Sequence, residues 1–314
     1  MKKYLRSAVL PLCSVALLAG CLTMYPPMRE ETAKRIAMPV FMYHRTIDSQ
    51  PFQIRAFERV HAEGEIAHLY IAEGNGPWRT QTDALDPTPK NPVSLKLASE
   101  DGSPNVIYLG QPCQYMKAFE GTQCDKKYWT THNFSPEVLD AYNSAIDEIK
   151  RRYRIPEFHI IGHDTGGTIA SLIAAERGDI LSLRTVAGVL DTETYAKIQG
   201  FTPSDDSANP ADLAEKLQYV PQRHFIGRDD LEVTSAVHHK YALKINNDNC
   251  MNVSFVDNAS HDEGWQSRWP SMLSEPVECK SNVDVPYSEQ RSKGVKGKTK
   301  SFSPAPAAFH DAKK

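Results

Sequence analysis

A glycine-framed turn near the middle of the chain holds a carboxylate that could act as a nucleophile. The turn reads Gly162-His163-Asp164-Thr165-Gly166, with a short apolar strand predicted before it and a helix of small residues after it. Glycine is needed on both sides because so sharp a turn leaves no room for side chains beside the central residue. The helix N-terminus would then face any negative charge that develops there. Asp164 is therefore the candidate nucleophile.

Two further residues of suitable type follow in the order acid, then histidine. Asp230 comes shortly after a strand predicted at 224–226, and His261 lies in the loop after the last predicted strand. The carboxyl ends of parallel strands meet at one edge of a sheet, so we expect both side chains to reach Asp164 there. His261 would serve as the base, and Asp230, which we prefer to Asp229, as the acid that orients it.

The elements that must position these residues alternate between strand and helix. Strand patterns lie at 52–60, 66–72, 105–109, 158–161, 183–187, 224–226 and 253–256. A helix begins at Pro136, after the potential capping residue Ser135, and repeats apolar residues on one face. This alternation predicts an α/β fold whose central sheet is mostly parallel and covered by helices on both faces. His163 is interpreted as a packing residue of the turn rather than as a base.

The first twenty residues are typical of an export signal. Positive residues precede an apolar run at 8–18, which is too short to cross a bilayer as a stop-transfer helix. The run ends in Leu18-Ala19-Gly20-Cys21, which resembles a bacterial lipobox. That resemblance implies a lipid anchor on Cys21 in the bacterial cell envelope. Leu22 favours the periplasmic face of the outer membrane.

The remaining chain divides into three predicted parts. Residues 21–50 would form an N-terminal tether and lead-in, and 51–280 the folded domain. Residues 281–314 carry seven Lys or Arg against three Asp or Glu and few large apolar residues, which predicts a disordered basic tail. The alternative for the tail is weak contact with anionic lipid or an envelope polymer. The net charge of −3 for the whole chain gives no reason to expect a nucleic-acid partner.

Four cysteines remain once Cys13 leaves with the signal and Cys21 takes lipid. An even number outside the cytoplasm predicts two disulfides. Of the three possible pairings we favour the two that close short loops, Cys113–Cys124 and Cys250–Cys279. A metal site is the alternative, but no C-x-x-C or H-x-x-x-H spacing accompanies these cysteines.

Several separated blocks of sequence together resemble one known family. The blocks are Tyr70 to Gly76, Asp86 to Pro89, Tyr108 to Tyr115, Cys124 with Tyr128 to Thr130, the turn at 162–166, Asn209-Pro210, Pro221-Gln222, Gly227 to Asp230, and His261 to Trp265 with Trp269-Pro270. Over residues 65–272 the chain is similar to the periplasmic lipoprotein α/β-hydrolases of proteobacteria. The resemblance implies the α/β-hydrolase fold.

The same resemblance assigns roles around the turn. It implies that the loop containing Gly74, Asn75 and Gly76 binds an oxyanion, and that the backbone N–H of Thr165 is a second donor. It also implies Asp230 and His261 as acid and base. A small-molecule substrate is expected, without a cofactor or a metal ion. The stretch from 190 to 220 predicts a small cap or none.

The chain departs from the family at the centre of the turn, where Asp164 replaces a serine. A carboxylate needs no deprotonation, but on an acyl carbon it would form a mixed anhydride, a poor intermediate. On a saturated carbon it displaces a halide or opens an epoxide, and water activated by His261 then hydrolyses the alkyl ester. The turn also resembles that of haloalkane dehalogenases and epoxide hydrolases, although Thr165 stands where dehalogenases often carry Trp.

Two functions remain open at this point. One is an envelope hydrolase acting on a small ester-like, halogenated or epoxide substrate through an Asp-His-Asp triad. The other is a pseudo-hydrolase that binds a periplasmic ligand or partner, because loss of a catalytic serine lowers kcat by about 10⁶.

Overall fold

The structure is a computed structural model that describes residues 26–74, 86–116, 124–200, 202 and 207–280. Several predictions fall outside these ranges. They are the signal peptide at 1–20, the lipidation site Cys21, the oxyanion-loop residues Asn75 and Gly76, and the basic tail at 281–314.

Eight strands of the described residues form one sheet. They are β1 (Tyr43–Ser49), β2 (Phe52–Val60), β3 (Ala67–Ile71), β4 (Asn105–Leu109), β5 (Phe158–His163), β6 (Ile180–Val186), β7 (Gln222–Gly227) and β8 (Met251–Val256). Their spatial order is β1-β2-β4-β3-β5-β6-β7-β8, and the β1–β2 and β2–β4 pairs are antiparallel. From β4 to β8 all neighbours run parallel. The predicted mostly parallel sheet is confirmed.

Helices precede, connect and follow the strands. In the described part of the chain they are α1 (Pro26–Ala37), α2 (Val93–Ser99), α3 (Pro136–Tyr153), α4 (Asp164–Glu176), α5 (Thr192–Gln199), α6 (Ala214–Leu217), α7 (Ser235–Lys244) and α8 (Trp269–Leu273). The connection from β6 to β7 holds α5, a 3₁₀ turn at Pro210–Leu213 and the single turn α6 among its described residues. This agrees with the prediction of a small cap.

The sheet separates two hydrophobic layers, which explains why the central strand β3 is apolar at most positions. Leu69 and Ile71 of β3 pack into the layer that contains the buried faces of α3 and α4. Tyr70, between them, packs into the opposite layer with residues of α1, α2 and α8. Side chains alternate across a strand, so a strand covered on both faces must be apolar at nearly every position.

The N-terminal part of the sheet begins earlier than the sequence suggests. β1 pairs with β2 from Tyr43 opposite Glu58 to Ser49 opposite Phe52. Both α1 and β1 lie within 21–50, which we interpreted as a tether and lead-in. Their described residues add a helix and an edge strand ahead of residue 51. The strand was hard to recognise because β1 has charged and polar residues at most positions.

Both predicted disulfides are present. Cys113 bonds to Cys124 across 11 residues, and Cys250 bonds to Cys279 across 29 residues. The second bond, with a hydrogen bond from the Lys280 N–H to the Asn249 carbonyl at 2.8 Å, holds the end of the described chain beside the start of β8.

The search for membrane-spanning helices covered the described residues. None of these helices combines the length and the apolar character needed to cross a bilayer.

Candidate active site

The glycine-framed turn forms a sharp junction between β5 and α4. Asp164 follows β5 directly, is the first residue of α4, and has a φ of 48°. This left-handed conformation is strained for a residue with a side chain and is characteristic of functional turns. A Cβ atom on Gly162 would overlap the Gly166 carbonyl, and one on Gly166 would overlap the Ile71 carbonyl. The flanking glycines are therefore required by contact with backbone.

The loop after β8 brings His261 to this turn. The Nε2 atom of His261 lies 3.7 Å from Oδ1 of Asp164, and its Nδ1 atom lies 3.1 Å from Oδ2 of Asp230. The two ring nitrogens thus face two different carboxylates, as the order of residues in the sequence predicts. The side chains of His261 and Asp164 are 14% and 16% exposed, so neither is fully enclosed.

Asp230 is held rigidly where β7 ends. Its Oδ1 atom accepts hydrogen bonds from the N–H groups of Glu232 at 2.8 Å and Val233 at 2.9 Å. This leaves Oδ2 for His261, and Asp230 is buried. Its neighbour Asp229 is exposed. The structure therefore brings Asp230, the acid preferred from the sequence, to the imidazole.

The two carboxylates set the charge of the imidazole. Burial lowers the pKa of His261, but the hydrogen bond to Asp230 and the charges of Asp164 and Asp230 outweigh burial and raise the pKa to about 9. At neutral pH the resting site is thus an imidazolium between two carboxylates. Oδ1 of Asp164 is buried and, in the described structure, makes no hydrogen bond, so the ion pair is its main interaction.

Two of the predicted oxyanion residues, Gly74 and Thr165, contact each other. The Gly74 N–H donates to the Thr165 hydroxyl Oγ1 at 2.7 Å, and Gln111 Nε2 donates to the Ala72 carbonyl at 3.0 Å. The Gly74 donor is therefore engaged by a side chain of the turn itself. The Thr165 N–H lies in the first turn of α4, where backbone donors have no acceptor within the helix. Asn75 and Gly76 lie outside the described residues.

Three buried residues outside the predicted triad also belong to the site: His163, Trp265 and Glu73. His163 Nε2 donates to the His261 carbonyl at 2.8 Å, and Trp265 Nε1 donates to the same oxygen at 2.9 Å. Glu73 lies behind the turn, where its carboxylate accepts from the Ser94 N–H at 3.1 Å. Burial raises the pKa of Glu73. The position of His163 directly before Asp164 placed it near the site. Its hydrogen-bond partner is a backbone carbonyl, which no residue type in the sequence identifies.

One group of described residues brings together three potential metal ligands. These are His163, His261 and Asp262, whose candidate atoms lie within 4.8 Å of one another. Nε2 of His163 and Nδ1 of His261 are already engaged in hydrogen bonds. A metal ion bound there would compete with the ion pair between His261 and Asp164.

Comparison with known proteins shows similarity in structure. No family model matches the chain, and no curated protein matches it. Among solved structures it is similar to Est1E from Butyrivibrio proteoclasticus with ferulic acid bound (13% identity, TM-score 0.52, covering 74% of this chain and 98% of that one). It is also similar to the Pyrococcus furiosus esterase Pf2001 (13%, 0.51, 76% and 93%).

A third similar structure belongs to a larger protein. The Pyrococcus horikoshii acylaminoacyl peptidase matches with 10% identity and a TM-score of 0.53, over 79% of this chain and 43% of the peptidase. At these identities the likeness concerns the fold. The sheet order, the turn between β5 and α4, and these neighbours together show that the chain has the α/β-hydrolase fold.

Proposed function

We propose that the protein is a hydrolase that attacks a saturated carbon of a small halogenated or epoxide substrate through Asp164. The observation that carries this proposal is the alignment of Asp164, His261 and Asp230, with one ring nitrogen facing each carboxylate. The nucleophile stands on a strained turn at a helix N-terminus, the position at which this fold carries its nucleophile.

The first step needs no base. An oxygen of the Asp164 carboxylate forms a bond to the substrate carbon, and the carbon–halogen or carbon–oxygen bond breaks with its electron pair on the leaving atom. Oδ1 is buried beside His261, so the attacking atom is Oδ2, the other oxygen of the partly exposed Asp164 side chain. The Thr165 N–H at the start of α4 is a candidate donor to the leaving group.

The second step needs a neutral imidazole, and ester formation favours one. Once Asp164 is esterified it carries no negative charge, so one of the interactions that raise the pKa of His261 disappears. His261 can then give its proton to the alkoxide of an opened epoxide or, after loss of a halide, to solvent, and accept another from the water that attacks the ester carbonyl carbon. It returns that proton to the departing alkoxide, and the regenerated carboxyl ionises. Asp230 stabilises the transient imidazolium.

A second candidate, a pseudo-hydrolase that binds a ligand without reaction, is favoured by a different observation. The Gly74 N–H is engaged by Thr165 Oγ1, so in this structure that donor is not free to stabilise a tetrahedral oxyanion. The resting His261 imidazolium, paired with two carboxylates, also suits recognition of a polar ligand.

The two candidates are separated by trapping the covalent intermediate. In the His261→Gln variant, a panel of chloroalkanes, bromoalkanes and aryl glycidyl ethers is expected to leave an alkyl ester on Asp164, visible as a mass increase of its peptide. Wild type that turns over in heavy-oxygen water should instead gain one or two ¹⁸O atoms in Asp164. The Asp164→Asn variant is the control and should show neither change.

Substitution of Asp164 by serine tests the pseudo-hydrolase. If the pocket is intact, Asp164→Ser should gain labelling by a fluorophosphonate. Labelling of Asp164→Ser, with no adduct from the whole panel in His261→Gln, would reject the Asp164 nucleophile and support the pseudo-hydrolase. Strong labelling of wild type would contradict both candidates.

We also propose that the protein is an envelope lipoprotein anchored through Cys21, which the lipobox-like Leu18-Ala19-Gly20-Cys21 supports. The test is mass analysis of the mature N-terminal peptide from a bacterial host, with fractionation of its membranes. A diacylglyceryl Cys21 is expected in the membrane fraction, and Cys21→Ser should abolish it. An unmodified N-terminus at Cys21 or elsewhere would overturn the anchor.

A further inference from the structure

The loop that carries His261 is held by two buried ring donors. Both His163 and Trp265 are about 1% exposed, and each donates to the carbonyl oxygen of His261 itself. A carbonyl can only accept, so Nε2 of His163 must carry a hydrogen. In the neutral ring this leaves Nδ1 without one, and Nδ1 is buried without a hydrogen-bond partner in the described structure.

This contact links the two reacting elements directly. His163 precedes Asp164 on the turn, whereas His261 lies 98 residues further along the chain. The imidazole rings of His163 and His261 are also in contact, with centroids 5.0 Å apart. A shift of the turn would therefore move the loop with it and preserve the spacing between Asp164 and His261.

Polar groups also contact the backbone of His163. The Ser94 hydroxyl lies 3.4 Å from the His163 N–H, and the Ser94 N–H donates to Glu73. Glu73 is 4% exposed, and one of its carboxylate oxygens has no partner in the described structure. These contacts join the turn at His163 to α2 and to the loop after β3.

We propose that His163 is a positioning residue: by donating Nε2–H to the His261 carbonyl, it holds the His261 imidazole between Asp164 and Asp230. This inference rests on the proposed function for its catalytic meaning, but the geometry can be tested without a substrate. A residue that merely fills space would tolerate an apolar replacement, whereas a positioning donor would need a hydrogen bond at the same place.

The test compares His163→Leu, which removes the donor, with His163→Gln, whose side-chain amide can replace it. The pKa of His261 is followed by NMR of histidine-labelled protein and assigned with His261→Gln. In His163→Leu the pKa should fall by one unit or more, a tenfold loss of proton affinity, because the imidazole is no longer held against Asp230. His163→Gln should recover most of that shift.

A matched control removes another histidine from the same strand. His159 bonds Ser182 Oγ at 2.7 Å rather than the His261 loop, so His159→Leu should leave the pKa of His261 unchanged. A folded His163→Leu with an unchanged His261 pKa, or equal shifts in all three variants, would overturn the proposal.

The wild-type protein gives an answer even if His163→Leu does not fold. Long-range ¹H–¹⁵N spectra distinguish a protonated from a bare ring nitrogen, and we expect a protonated Nε2 on His163. A bare Nε2 would exclude the proposed donor and overturn the inference. Because neither measurement needs turnover, failure to find a substrate would leave this result independent of the proposed function.

Discussion

The Gly74 N–H donates to the Thr165 hydroxyl at 2.7 Å, and this bond closes the loop after β3 onto the turn that bears Asp164. A fold that stabilises oxyanions usually leaves such an N–H free for the substrate. Here a side chain next to the candidate nucleophile occupies it. Attack on a saturated carbon forms no tetrahedral oxyanion and does not need this donor, whereas hydrolysis of the ester on Asp164 would.

Freeing the Gly74 N–H should accelerate acyl-transfer chemistry. In an Asp164→Ser background, Thr165→Val removes the hydroxyl while keeping the shape of the side chain. The freed Gly74 N–H should accelerate fluorophosphonate labelling by at least tenfold, since one oxyanion donor contributes about 10²–10³ in rate. Labelling rates of the single and double variants check this, and an equal or slower rate in the double variant would count against it.

The two carboxylates should contribute unequally to the charge of His261. Among the interactions that raise its pKa, the hydrogen bond to Asp230 is larger than the charge of Asp164. Asp230→Asn should therefore lower the pKa of His261 from about 9 by more than Asp164→Asn does. NMR titration of both variants measures the two values. The reverse order would mean that the longer contact to Asp164 dominates.

The raised pKa also predicts how stability depends on pH. The folded-state pKa of His261 is about 9, above the 6.5 of an unfolded chain. Its ion pairs should thus contribute fully below pH 6.5 and be lost as pH rises through 9. A shift of this size corresponds to roughly 3 kcal/mol.

Urea unfolding of wild type and His261→Gln at pH 6, 7.5 and 9.5 would test this. The stability difference should shrink steadily with pH. A difference that stays constant would show that the imidazolium does not stabilise the fold.

The disulfides should stabilise the domain by amounts that rise slowly with the length of the loops they close. Chain entropy gives about 3 kcal/mol for the 11-residue loop of Cys113–Cys124 and about 3.6 kcal/mol for the 29-residue loop of Cys250–Cys279. Paired Cys→Ala variants should lower the free energy of unfolding by these amounts in urea titrations. If removal of the Cys113–Cys124 pair leaves the free energy of unfolding unchanged, the unfolded chain already retains structure there.

Local patterns predicted much of this fold. The bounds predicted for the strands at 52–60 and 105–109 match β2 and β4, and the helix beginning at Pro136 matches α3. Apolar periodicity and a proline in the first helical turn indicate such elements within a few positions, although the Ser135 side chain makes no capping hydrogen bond. β1 escaped prediction because its polar edge position removes the alternation on which strand recognition depends.

For the candidate site, the sequence predicted which three side chains would meet but not the contacts around them. Residue types and their order along the chain indicated that Asp164, Asp230 and His261 would meet, since a parallel sheet gathers its strand ends. The contacts of His163 with the His261 carbonyl and of Thr165 with the Gly74 N–H involve backbone atoms of distant loops. Every residue has these atoms, so no residue type marks them.

Because the backbone is crowded around Gly162 and Gly166, the side chain at position 164 can be changed while the surrounding backbone stays the same. Both flanks are fixed by neighbouring carbonyls, and the backbone holds whatever side chain stands between them at the same height and angle. Carboxylate, hydroxyl and thiol variants at this one position would present different nucleophiles to the same imidazole. The scaffold thus offers a direct comparison of nucleophile chemistry in which the surrounding architecture is constant.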